Sequence, residues 1–311
     1  MTENGWPALP YEEWRATRDT LHMYTQVLGK LRLALSPFEP EWGNVPLYVT
    51  ARGLTTTPIP IGLRSVDAEL DLIDHVLVLR SSDGRIERLS LGGAVADFYR
   101  DVMSALAHLQ VDVAISVRPS EVADPIPFPD DRDHATYEPA QVERFFRVLS
   151  MVDVIFREHR AGFRGRTSPV QFFWGTFDLA LIRYSGRPVT PPPGAGVIHR
   201  FGGDAEQICA GWWPGDERVR YPAFYAYGFP KPPGLDEAPI APPGAAWESE
   251  TREFVLRYDT ARSASDPKHA VLDFARSTYT AAARLMHWDD AWTQVAVPPS
   301  APVTKAAAAQ R

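Results

Sequence analysis

The chain has 311 residues, roughly two domains' worth, and is 45% hydrophobic and 23% charged, which provides material for a core and excludes a disordered chain. Lys and Arg number 32 against 39 Asp and Glu, a net charge of −7 with no basic block, so nucleic acid is not an expected partner. No apolar run approaches a membrane span, Cys209 is the single cysteine, and the first residues lack the basic and apolar stretches of a signal peptide, so the expectation is a cytoplasmic protein without disulfides.

Heptad spacing of Trp14, Leu21, Leu28 and Leu35, with Tyr24 and Leu31 beside them, predicts a first helix. His22, Gln26 and Lys30 share another face of it, either a solvated polar stripe or the lining of a cleft. Leu47–Arg52 alternates as a strand that turns Leu47 and Val49 one way and Tyr48 and Arg52 the other. Asp71 and His75 lie in a strand-like segment, about 13 Å apart at ~3.3 Å per residue, unless a turn intervenes at Asp74. Val76–Leu79, the turn Ser82–Gly84 and Ile86–Leu91 predict a hairpin, followed by a helix over about 93–109.

Prolines, 29 in all, are nearly twice as frequent as the usual ~5%, and they gather at 119–139, 188–193, 230–243 and 298–302. Such clusters predict ordered loops or linkers, since proline disrupts helices and central strands. Past the first cluster, Val142, Phe145, Phe146, Leu149, Val152 and Phe156 mark a helix over about 139–162. Strands are predicted over about 177–184, 206–213, 222–229 and 253–258, closed by a helix at 267–286.

The chain contains a partial copy of itself. Ser36-Pro37, Trp42-Gly43 and Leu47 recur 132 residues later as Ser168-Pro169, Trp174-Gly175 and Leu179. Ala94–Arg100 recurs as Ala270–Arg276 at an offset of 176, with five of seven residues identical. These collinear matches predict an α+β protein of two tandem-duplicated units, each helix–antiparallel strands–helix, related by pseudo-two-fold symmetry. The expected layout is a first repeat at 1–118, a Pro/Asp-rich linker at 119–138, a second repeat with Pro-rich insertions at 139–290, and a flexible tail at 291–311.

Several stretches are distinctive: Trp6–Pro10, Leu47–Thr56, Ser168–Leu179, Trp213–Gly215 and Ala223–Tyr227. Over nearly its whole length the chain resembles a bacterial family of unknown function that shares them, and the resemblance implies no activity. It does imply histidines at three places where this chain has Pro40-Glu41, Gln171 and Asp204-Ala205. A metal site built on those histidines in relatives would be lost here.

Standard catalytic motifs do not occur: there is no His-Glu-x-x-His, Gly-x-Ser-x-Gly, Walker loop or Cys-x-x-Cys. Cys209, in an apolar stretch with no basic neighbour, is expected to be a buried structural thiol. Asp178 and Glu206 are carboxylates in apolar contexts, so each must be paired or perturbed. Trp212, Trp213, Tyr221, Phe224, Tyr225, Tyr227 and Phe229 are dense around them, as core or as a platform for a flat ligand.

The favoured expectation is a metal-independent enzyme without cofactor. It would act on a small, partly aromatic or apolar molecule by acid–base catalysis, of isomerase, cyclase or lyase type. A non-catalytic small-molecule binder and a metal-dependent enzyme are the alternatives. Glu206, Asp178, His22 and Tyr225 are the candidate catalytic residues, and Arg52, Gln26, Gln171, Trp174, Tyr227 and Trp213 the candidate substrate contacts. They are expected to meet in one cleft between the halves, roofed by the 188–200 and 230–243 loops, with Glu206 as the acid–base group and Arg52 holding an anionic part of the substrate.

Overall fold

The structure, a computed structural model, describes residues 5–293. Helix α1 (Tyr11–Leu35) is followed by β1 (Tyr48–Val49), β2 (Gly53–Thr55), β3 (Ile59–Ile61), β4 (Arg64–Asp71), β5 (Val76–Ser81), β6 (Ile86–Ser90) and α2 (Val95–His108). The second half comprises α3 (Pro139–Arg160), β7 (Arg166–Thr167), β8 (Gln171–Phe173), β9 (Asp178–Pro188), α4 (Val197–Gly202), β10 (Ala205–Trp213), β11 (Ala223–Phe229), β12 (Ala246–Glu248), β13 (Glu253–Arg257), α5 (Tyr258–Arg262) and α6 (Pro267–Leu285). The fold is α+β: helices with two antiparallel sheets. The expected tail at 291–311 lies, from residue 294 on, outside the described residues.

One sheet runs β1-β2-β4-β5-β6, with β3 also on β4, and the other runs β12-β13-β11-β10-β9-β7, with β8 also on β9. The two are separate but touch at one place. Leu47 N–H donates to the Phe172 carbonyl at 2.9 Å, and Phe172 N–H returns the bond at 2.8 Å. The strand expected over 47–52 is interrupted. Thr50 Oγ1 accepts from the Arg52 and Gly53 N–H groups, each at 3.0 Å, and this side-chain turn sends the chain back as β2. A turn also separates Asp71 from His75, with Asp71 capping the Ile73 and Asp74 N–H groups while His75 contacts the Tyr137 hydroxyl at 3.0 Å.

The core is one continuous cluster that includes α1, α2, α3, α6 and the inner faces of both sheets. Helix α1 is its axis. Trp14, Leu21, Tyr24, Leu28 and Leu31 are buried as the spacing predicts, but so are Thr17, Thr20, His22, Gln26 and Lys30 on its other sides. Gly29 lets the Trp174 ring lie directly on the helix backbone, where a Cβ would come within 2.2 Å of the indole. Helices α3 and α6 cover the inner face of the second sheet. No helix among the described residues is long and apolar enough to cross a membrane.

Candidate functional site

Strand alternation divides the second sheet into two chemically different faces. Leu179, Leu181, Ile208, Trp212, Phe224, Phe254 and Leu256 turn inward to the core. Ala180, Ile182, Tyr184 and Cys209 form a separate buried cluster on the outer face, with Phe173, Tyr225 and Tyr227 packed against it. The register places Asp178, Gln171, Trp213 and Glu253 on this outer face as well.

Asp178 is its chemical centre. Its carboxylate is buried and accepts hydrogen bonds from the Thr176 and Tyr225 hydroxyls. Burial pushes its pKa up to about 6 against the pull of those two bonds, and the charge of Glu121 adds to the rise. The Tyr225 ring reaches Asp178 by lying across Gly211, where a Cβ would sit 2.2 Å from the ring. Tyr227 stacks beside it, nearly parallel, with centroids 6.4 Å apart. Glu253, half-buried on β13, is pushed up to about 7 by burial and then by the Asp178 charge. Burial also raises the Cys209 thiol, which makes it an inert packing group rather than a nucleophile. The face therefore carries two carboxyl groups that titrate near neutrality beside a pair of stacked phenol rings.

The other expected site residues do not converge there. Glu206 sits near the opposite end of β10 from the residues that pair with β9 beside Asp178, about 20 Å away at ~3.3 Å per residue. Its carboxylate is held by Ser185 Oγ at 2.5 Å and by Arg187 Nε at 2.5 Å and Nη2 at 3.0 Å. It is an ion-pair partner, not the acid–base group of this face. Arg52 is exposed on the first sheet, where Asp71 and, at 2.7 Å, Asp74 occupy its guanidinium. It does not reach the outer face.

His22, Gln26 and Trp174 hold the fold together rather than line a cleft. His22 Nε2 contacts the Trp174 and Gly175 carbonyls at 2.9 and 3.0 Å, so this nitrogen carries the proton, because a carbonyl can only accept. Burial drives the His22 pKa down to about 3, which leaves the ring neutral. Gln26 grips the Ser120 backbone at both ends, donating to its carbonyl at 2.7 Å and accepting from its N–H at 3.0 Å. Lys30 donates to Ser120 Oγ at 2.9 Å. Trp174 wedges between α1 and the Val45 carbonyl, to which its Nε1 donates at 2.9 Å. The 230–243 loop is no roof either, since it packs on the inner side, with Leu235 in the core and the Ala241 N–H bonded to Ser277 of α6. In the 188–200 loop, the Ile198 carbonyl accepts from Trp42 Nε1 at 3.0 Å.

The model of a family of unknown function, DUF5996, matches residues 6–295. The chain belongs to that family. No curated protein and no solved structure matches it. In this DUF5996 member, Gln171 pairs across β8–β9 with Ala180, on the face that carries Asp178. Glu41 is held by Arg166 and feels the charge of Asp204, so two of the places where the resemblance implies histidine are electrostatic neighbours. Among the described residues, no three His, Cys, Asp or Glu side chains come together to hold a metal ion.

Sequence reasoning missed Glu253, the residue whose charge environment is coupled to Asp178. Its signal was available in the alternation Glu253-Phe254-Val255-Leu256, which turns Glu253 away from the apolar face. What could not be read was that β13 pairs with β11, which brings Glu253 near a residue 75 positions earlier.

Proposed function

We propose that this DUF5996 protein is a metal-independent acid–base enzyme acting on a small, partly aromatic or apolar molecule, by isomerase, cyclase or lyase chemistry. Such reactions take a proton from one atom and return it at another, which calls for groups with pKa values near the working pH. Asp178 is the base, Tyr225 the group bonded to it that shares its proton, and Glu253 the second acid–base group. Tyr227 and Trp213 contribute the apolar surface. The observation that carries the reading is the buried Asp178 carboxylate bonded to Tyr225 beside a stacked, half-buried tyrosine pair. A structural carboxylate in such a place is expected to face a cation, and Asp178 has two hydroxyls instead.

The test is a thermal-shift screen of small aromatic and heteroaromatic molecules, followed by NMR of the hits in D2O with protein present. Turnover or deuterium uptake at a ligand carbon supports the reading if Asp178→Asn still binds but slows it on the order of 10²-fold or more. Binding with neither conversion nor exchange leaves the second reading, a small-molecule binding protein, which the Tyr225–Tyr227 platform favours. We also propose a cytoplasmic location for this enzyme.

A tandem duplication is proposed for the two halves. Each runs helix, antiparallel strands, helix, and Phe98 and Phe274 are both buried residues of the closing helix. Superposing an experimental structure's residues 11–109 on 138–286 should place Trp42 on Trp174 and Phe98 on Phe274. Trp42 and Trp174 landing in unrelated positions would remove the proposal.

A further inference from the structure

The inner side of the second sheet holds a buried cation with no matching anion among the described residues. Arg183 on β9 is only 5% exposed. Its guanidinium lies between the rings of Phe163 and Tyr279, 4.6 and 4.4 Å from their centroids, and donates to one oxygen, the His159 carbonyl in the last turn of α3. Its Nε–H is buried and has no acceptor among the described residues, and no carboxylate there pairs with it. Aromatic faces and a helix C-terminus supply only partial negative charge. Arg32 makes a useful contrast. It is equally buried and its Nε–H also lacks an acceptor, but its terminal nitrogens reach three oxygens, of Thr56, Thr57 and Gly43, where those of Arg183 reach one.

A cavity of about 10 Å³, the room one water-sized particle needs, adjoins Arg183 and is lined also by His159, Ile208, Ala275, Thr278 and Tyr279. His159 cannot supply charge of either sign, since burial and the neighbouring arginines hold its pKa well below the ordinary value. Arg183 itself, though pulled down by burial to about 10, is charged at neutral pH. A full charge in such surroundings is costly unless a counter-charge joins it.

We infer that Arg183 forms a binding site for a small monovalent anion, of chloride size, between α3, α6 and the inner face of β9–β10. The guanidinium Nε–H is the principal donor and the aromatic clamp fixes its direction. The cavity has the room of about one water, so a chloride-sized anion would enter with a small outward shift of the Tyr279 and Thr278 side chains, whereas phosphate and sulfate are far too large. The site lies behind the sheet that carries Asp178, and it is independent of the catalytic reading.

The experiment has two parts, both on the full chain. First, thermal unfolding is followed while chloride replaces gluconate at constant ionic strength. Tm should rise and saturate, and the rise should vanish in Arg183→Met and persist in Arg218→Gln, an exposed arginine elsewhere. A Tm of the unaltered protein that ignores chloride overturns the inference, as does a chloride response that survives Arg183→Met. Second, crystals of the unaltered protein soaked in bromide are read by anomalous scattering, which decides the matter even if Arg183→Met does not fold. A bromide peak at hydrogen-bonding distance from Arg183 Nε supports the site. A water there, with no anomalous signal, overturns it.

Discussion

Asp178 and His22 are buried titratable groups whose protons respond to pH in opposite senses. Asp178 holds its proton more tightly folded than unfolded, its pKa rising from 3.8 to about 6. Between those values the native state binds the extra proton, so Asp178 costs stability as pH rises, by up to about 3 kcal/mol. His22 falls from 6.5 to about 3, so the unfolded chain binds the extra proton and stability is lost as pH falls below 6.5, at about 1.4 kcal/mol per unit. Over pH 4–6 the two slopes oppose each other. Urea unfolding of Asp178→Asn should therefore show stability climbing more steeply with pH in this window than in the parent, while His22→Gln should leave the Asp178 slope unopposed, so that stability rises as pH falls from 6 to 4. Parallel curves for Asp178→Asn and the parent would mean that Asp178 titrates normally. Glu206→Gln makes the contrast at residue scale. Its partner Arg187 is 51% exposed while Glu206 itself is 13% exposed, so the pair is partly screened and its loss should cost about 1 kcal/mol of stability while leaving ligand binding unchanged.

Close approach governs the elements, and two glycines permit it. Gly211 lets the Tyr225 ring cross β10 to Asp178, and Gly29 seats Trp174 on α1. At Gly29 two effects compete. Alanine in a helix interior is favoured by about 1 kcal/mol over glycine, whereas a Cβ 2.2 Å from an indole forces overpacking that costs about 1–3 kcal/mol. The clash should win, so Gly29→Ala should lower Tm, and adding Trp174→Leu should recover part of the loss by clearing the ring. A higher Tm for Gly29→Ala alone would show that the indole moves aside freely. Most long elements were legible as periodic patterns: the hairpin of β5 and β6, the helices α2, α3 and α6, and strands β9 to β11 fall within a few residues of their expected limits. The three-residue strands β2 and β3 were not, since the turn at Thr50 interrupts an alternation that otherwise looks continuous, and the eight-residue β4 was legible only as the strand-like segment around Asp71.

At the scale of the whole molecule, α1 is the axis on which both halves close. It is buried on nearly every side, and its polar residues grip Ser120, Trp174 and Gly175 from distant parts of the chain. Its amides should exchange with solvent only through global unfolding, whereas those of β6, an edge strand with alternate residues exposed, should exchange by local opening. Hydrogen exchange read by mass spectrometry checks this. Exchange from α1 as fast as from β6 would show that the halves open independently.

The sequence by itself determined what depends on local pattern: α+β class, the long helices and strands, the buried thiol at Cys209, and the placement of Asp178, Tyr225 and Tyr227 among aromatics. It could not determine which side of α1 is wet, because a polar stripe of His22, Gln26 and Lys30 has the same periodicity facing water or facing backbone carbonyls. Nor could it separate Asp178 from Glu206, two carboxylates with similar apolar neighbours in the chain. Only the sheet register decided that one lies beside Tyr225 and Glu253 while the other meets Arg187 at the far end of the strand. Pairing between strands is a contact over long sequence distance, and side-chain chemistry near neutrality depends on burial and on charges brought in by that pairing, neither of which is written in any local stretch of residues.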